Sequence, residues 1–140
     1  MKQVPNLIII EQDARRLRIL VESASYSGSY DRAQLEALEE EMERAVIVPG
    51  HQVPENVVTM HSRVRIIDMR TGEQMVFQLV YPHEAKYAEA KISILAPIGM
   101  ALLGYAAGTV VEWEVPSGKR TLRIEAVEHQ PEAAKRRVAA

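Results

Sequence analysis

Four histidines, nineteen acidic residues and no cysteine set the chemistry open to this chain of 140 residues. His51, His61, His83 and His129 are scattered between segments, and no two stand at the i, i+4 spacing that puts two imidazoles on one helical face. Metal binding is therefore not expected. Glu36, Glu39, Glu40, Glu41 and Glu43 crowd one stretch. Acid–base work needs two carboxyls in unlike environments, so this run reads as solvating charge. The missing cysteines remove thiolate zinc sites, cysteine nucleophiles and disulfides, and they suit a reducing compartment, with the cytoplasm as the expectation. The sequence holds no glycine-rich dinucleotide loop, P-loop, serine nucleophile elbow or H-E-x-x-H pair. It reads as a non-enzyme without a cofactor.

Composition narrows the partners. Seventeen Lys and Arg against nineteen Asp and Glu give a net charge of −2, too little positive charge for direct binding of nucleic acid. No apolar run approaches the roughly 18 residues of a membrane span, so no membrane role is expected. Aromatic residues make up only 5% of the chain, which leaves little material for an aromatic-lined pocket.

The order of elements follows from periodicity. Asp13 stands where it can accept backbone hydrogen bonds at a helix start, and Ile10, Ala14, Leu17, Val21 and Ala24 recur at gaps of 4, 3, 4 and 3, a short coiled-coil seam. Ser23 to Tyr30 is rich in Ser and Gly and reads as a loop. Asp31 begins a second helix with the seam Leu35, Leu38, Met42, Ala45. The two helices predict an antiparallel hairpin, with Arg15, Arg16 and Arg18 of the first opposite the Glu-rich face of the second. Pro49, Gly50 and Pro54 mark a linker.

Beyond it the period changes to two. Val57 to Met60, Val64 to Met69, Met75 to Tyr81, Lys91 to Leu95, Thr109 to Val115 and Arg120 to Glu128 read as strands, the last two joined by a Pro116-Ser117-Gly118-Lys119 turn. Pro97 at a first helical position and Gly104 at its end bracket one short helix. The expectation is an α+β chain: a helical hairpin over 1–47, a linker over 48–56, an antiparallel sheet wrapped on one short helix over 57–130, and a flexible tail over 131–140.

The run Lys91 to Gly104, an I-S-I strand followed by a Pro-started helix ending Ala101-Leu102-Leu103-Gly104, then Gly108, a strand and a Pro-x-Gly turn, resembles the C-terminal domain of the bacterial Gre transcript cleavage factors. Val57-Val58-Thr59-Met60, Ser62-Arg63-Val64, Leu79-Val80-Tyr81-Pro82 and Gln130 to Ala134 are similar to a regulator branch of the same superfamily. The resemblance implies an FKBP-like sheet domain and RNA polymerase as partner, docked at the rim of the secondary channel with the hairpin reaching inward. It maps the docking surface onto Leu95, Ala96, Pro97 and Ile98, where apolar Leu95 and Ala96 replace the polar pair usual in Gre factors. It also implies a link to nucleoside diphosphate kinase, which we expect to be indirect.

In that family two acidic residues at the hairpin tip hold a second magnesium ion in the polymerase active site. Here the tip offers Ser23, Ser25, Tyr26, Ser27, Ser29 and Tyr30, with Asp31 its one carboxylate, expected as a helix cap. The helices, read as Glu11 to Glu22 and Asp31 to Ala45, would reach only about 18 and 22 Å at 1.5 Å per residue. The expectation is therefore polymerase binding without stimulated cleavage. Two alternatives stand beside it. FKBP-like folds host peptidyl-prolyl isomerases and proline-binding chaperones, but the sheet domain has only Phe77, Tyr81, Tyr87, Tyr105 and Trp113 to line such a pocket, and Trp113 reads as core. Dimerisation through the hairpin is the other, with a monomer favoured.

Overall fold

Ile8–Ile10 forms a strand, β1, that runs directly into helix α1, Glu11–Ser27; α2 spans Arg32–Arg44 and is followed by β2, Val46–Val48. The computed structural model describes residues 7–28, 30–115 and 118–139, and the side chains of 25–27, 113–115 and 139 are outside that description. Ser29, Pro116, Ser117 and the side chains of Tyr26 and Trp113 therefore lie outside the described residues.

The two seams meet as their spacing requires. Ile10, Ala14, Leu17, Val21 and Ala24 are all buried, as are Leu35 and Leu38, while Met42 and Ala45 pack at the margin. The ion pairs of α2 run along the helix, Arg32 to Glu36 and Arg44 to Glu41. Ser23 to Ser27, expected as loop, instead continues α1. Serine costs a helix only a few tenths of a kcal/mol relative to Ala, and buried Ala24 sustains the seam. The helix stops at Gly28, whose φ of +65° suits a left-handed cap, with its N–H bonded to Ala24 O at 3.2 Å.

Sequence periodicity missed the strands at the hairpin's base. β1 and β2 pair in parallel, with Ile8 opposite Val46 and Ile10 opposite Val48. Each is three β-branched residues long, too short to show alternation, and only the return of α2 brings them side by side. Pro49 to Glu55 includes one 3-10 turn, Gly50–Gln52. Val57 to Met60, expected as a strand, is a buried irregular segment held by an isolated bridge from Val57 to Ala106 and by Val58 N–H to Tyr105 O at 3.0 Å.

The main sheet contains β3, Arg63–Asp68; β4, Gln74–Val80; β5, Lys91–Ser93; β6, Val110–Val115; and β7, Gly118–His129, in the order β5-β4-β3-β7-β6. It is mixed where an antiparallel sheet was expected: β5 lies parallel to β4, with Leu79 opposite Ile92. The 3-10 turns Pro82–Glu84 and Tyr87–Glu89 carry the chain back alongside β4 so that β5 starts in the same direction. Helix α3, Pro97–Leu102, buries Ile98 and Leu102 against the inward face of Val64, Ile66, Leu79, Leu122 and Ile124.

Residues 131–140 were expected as a flexible tail, yet Pro131–Ala139 forms helix α4. Proline suits a first helical position and the two alanines favour continuation. What fixes it is tertiary: Arg136 donates to Gly50 O and Val53 O, each at 3.0 Å, and Gln130 Nε2 donates to Pro54 O and Val57 O at 2.8 and 2.7 Å.

Candidate functional site

Three places hold the residues singled out above: the strand-to-helix corner after β5, the hairpin tip, and the base where the hairpin meets the sheet. At the corner the chain turns from β5 into α3 within four residues. Ser93 sets the turn, its hydroxyl accepting Leu95 N–H and its carbonyl accepting Ala96 N–H, both at 3.0 Å. Gly99 is needed beneath it, because a Cβ there would lie 2.3 Å from Ser93 O. Leu95 and Ile98 are 3% and 4% exposed and belong to the core. The surface of the corner is therefore Pro97, which is exposed, with partly buried Ala96.

At the tip, Asp31 accepts the N–H of Ala33 at 2.8 Å and so caps α2. Tyr30 is 39% exposed beside it. By rise per residue, 17-residue α1 and 13-residue α2 span about 25 and 20 Å. The hairpin stays short even with the added turn of α1.

The base carries the buried polar chemistry, none of it evident from spacing. The helix starts at Glu11 as read, but Asp13, expected to accept backbone hydrogen bonds at that start, points into the sheet domain and accepts Met60 N–H at 3.0 Å. Burial pushes its carboxyl up to about 6, opposed by that hydrogen bond and reinforced by nearby Glu132. Thr59 donates its hydroxyl to Glu132 of α4 at 2.6 Å, and its N–H goes to Ser62 Oγ at 2.9 Å. On the α2 side, Arg44 reaches the Tyr105 hydroxyl at 3.0 Å and Glu41 at 2.6 Å.

Next to this base His61 occupies a left-handed position, φ +69°, and its ring bonds Glu84 at 2.8 Å. Burial works against the Glu84 carboxylate, but His61 and the Tyr81 N–H hold its pKa below the usual range. Burial raises the Tyr81 phenol well above its ordinary value. Among the described residues the tyrosines lie apart: Tyr81 and Tyr105 are each 7% exposed at different places, and Tyr87 is 79% exposed on the connection to β5.

The architecture has counterparts among known proteins. A family model described as the C-terminal part of transcription elongation factors GreA/GreB matches residues 53–129, and one for the Rnk N-terminus matches residues 5–48. The chain belongs to the GreA/GreB family. Among its Gre-family relatives is the regulator of nucleoside diphosphate kinase of Escherichia coli strain K12, 40% identical over 131 residues, which cover 93% of this chain and 94% of that protein. The transcription inhibitor protein Gfh1 of Thermus aquaticus is 35% identical over 138 residues, covering 84% and 87%. A solved prokaryotic transcription elongation factor GreA/GreB from Nitrosomonas europaea superposes with a TM-score of 0.73 at 38% identity, covering 90% of this chain and all of that one. The likeness thus includes the hairpin as well as the Gre sheet domain.

Proposed function

We propose that this chain is a non-enzymatic transcription regulator that docks on RNA polymerase at the secondary channel without stimulating transcript cleavage. The observation that carries the second half is the state of the tip: its carboxylate, Asp31, is engaged as a helix cap on a hairpin of 17 and 13 residues. Stimulated cleavage in Gre factors requires hard oxygen ligands for a second magnesium ion delivered at depth. One capped carboxylate on a short arm does not supply them. Docking falls to the sheet domain, with Pro97 and Ala96 as the accessible part of the corner; Leu95 and Ile98 act from beneath by holding its shape. A relative named as a transcription inhibitor supports a family role separate from cleavage.

The link to nucleoside diphosphate kinase, which comes from the name of the Escherichia coli relative, is read as a consequence of altered transcription in the cytoplasm. The protein acts as a monomer and makes no direct contact with nucleic acid or membrane, in keeping with its net charge of −2. Titration of labelled protein with polymerase, followed by competition with GreA and a cleavage assay on stalled complexes, tests this. Binding that GreA displaces, with no cleavage product, is expected. Failure to bind, or restored cleavage, overturns the reading.

A further inference from the structure

A groove of about 420 Å³ lies between α1 and the turn that follows β4. Arg16, Ile19 and Leu20 line its hairpin side, and His61, Tyr81 and His83 its sheet side. Three features set it apart from an ordinary crevice.

The first is Ile19. It is 59% exposed on a helix whose seam residues are all but fully buried, so more than half of a large aliphatic side chain faces solvent at the rim.

The second is His61. A left-handed position in a tight turn is met by glycine at no steric cost and by a histidine only at a penalty of about 1 kcal/mol or more. The turn runs from Thr59 to Ser62, whose N–H bonds Thr59 O at 3.0 Å. What a glycine would lack is the ring, which meets Tyr81 edge-on at 5.6 Å; Tyr81 in turn stacks on His83 at 6.4 Å and 18°. The strained residue thus completes a wall of three rings.

The third is charge. Glu84 at the groove's floor is taken up by His61 and by the Tyr81 N–H, and the nearby Asp13 by Met60 N–H. The exposed Arg16 side chain, which also interacts with the Tyr81 hydroxyl and Asp13, and the exposed His83 ring, which lies near Glu84, line the groove where an incoming group would enter.

The groove also adjoins the corner. Ile94 N–H bonds Val80 O at 2.8 Å, and the β4–β5 register sets Tyr81 opposite Ile94, one residue before the corner. We infer that this groove is a second docking surface, continuous with the corner, that takes an acidic segment of the polymerase carrying a bulky apolar side chain. The apolar group fills the space between Ile19, Leu20 and Tyr81, and the carboxylates meet Arg16 and His83. Since it spans the hairpin and the sheet domain, its occupation fixes the hairpin's direction relative to the corner. The inference rests on the polymerase reading above.

Polymerase core enzyme is the probe, with full-length protein and the variants His61→Gly, Ile19→Ser and Arg16→Glu. His61→Gly is expected to keep or raise the melting temperature, because glycine suits the turn, and yet to bind polymerase at least tenfold more weakly. Ile19→Ser, at an exposed position, is expected to fold normally and lose binding to a similar extent. A photo-crosslinker at position 19 is expected to mark a polymerase segment containing Asp or Glu next to Leu, Ile, Phe or Met. Wild-type affinity in all three variants overturns the groove while leaving polymerase docking intact, as does a position-19 crosslink to a basic or purely polar segment. No binding by the wild-type protein overturns the polymerase reading and this inference with it. A lowered melting temperature in His61→Gly with unchanged affinity assigns the histidine to fold maintenance and overturns its part in docking.

Discussion

At its base the hairpin is closed on itself by the parallel pair β1 and β2, and it is tied to the rest of the molecule by Ile8 N–H on Gly104 O, by the Asp13 carboxylate on Met60 N–H, and by the Tyr105 hydroxyl between Glu41 and Arg44. At its tip it ends in Gly28, an exposed Tyr30 and a capping Asp31. Buried polar contacts are concentrated where the hairpin's direction is set, and the tip's carboxylate serves the backbone. This allocation agrees with the proposed reading, in which the protein docks on its partner and the tip contributes no metal ligands.

The comparison predicts a graded response from base to tip. Leu17 is fully buried at the seam near the base, and Leu17→Ala is expected to cost about 2–5 kcal/mol, read as a lowered midpoint in urea unfolding. A loss under 1 kcal/mol would mean that the seam does not hold the hairpin.

Asp13 gives the next effect, and it carries a pH signature. The native carboxyl titrates at about 6, above its ordinary 3.8, so the folded state holds the proton more tightly than the unfolded chain. The stabilisation from this group is complete below about pH 4, declines as pH rises to about 6, and changes no further above that. Asp13→Asn keeps an acceptor for Met60 N–H, and the difference between its stability and that of wild type should grow in the variant's favour from pH 4 to pH 6. Asp68 behaves oppositely: the hydrogen bond from Arg120, with those from the Arg70 and Thr71 N–H groups, lowers its pKa, so its stabilisation is lost as pH falls. A difference curve between Asp13→Asn and wild type cancels that contribution. A flat difference curve would remove Asp13 from the account of the base.

Tyr105→Phe deletes the hydroxyl that links Arg44 to the sheet domain and is expected to cost about 1 kcal/mol. Faster hydrogen exchange should be confined to the end of α2 and to β2. The smallest effect belongs to the tip. Asp31→Ala is expected to cost about 0.5–1 kcal/mol through loss of the cap, with polymerase affinity unchanged. Equal costs for Asp31→Ala and Leu17→Ala would erase the contrast between the two ends.

Much of this molecule was legible in order of appearance. The 3–4 spacing of Leu17, Val21, Leu35 and Leu38 fixed the hairpin, because a helix seam is a local pattern. Pro97 and the apolar residues after it placed α3, and Asp31 was readable as a cap, since both signals act within one turn. The resemblance of Lys91 to Gly104 to the Gre domain led to the family that the comparisons bear out.

What escaped was everything that depends on a distant partner. β1 and β2 are triplets that become strands only against each other, and β5 is parallel because the path from 82 to 90 returns alongside β4. Helix α4 exists where basic side chains suggested a loose tail, since Arg136 finds the carbonyls of Gly50 and Val53. The corner shows the same division within four residues: sequence marked Leu95, Ala96, Pro97 and Ile98 together, and packing sent Leu95 and Ile98 inward and left Pro97 outside. Asp13, His61 and Tyr81, separated by up to 68 positions, carry no shared spacing signal. Periodicity and capping are short-range properties of the chain and determine its elements; burial and the hydrogen bonds that satisfy buried polar groups are long-range, and only the tertiary structure decided which of these residues would meet.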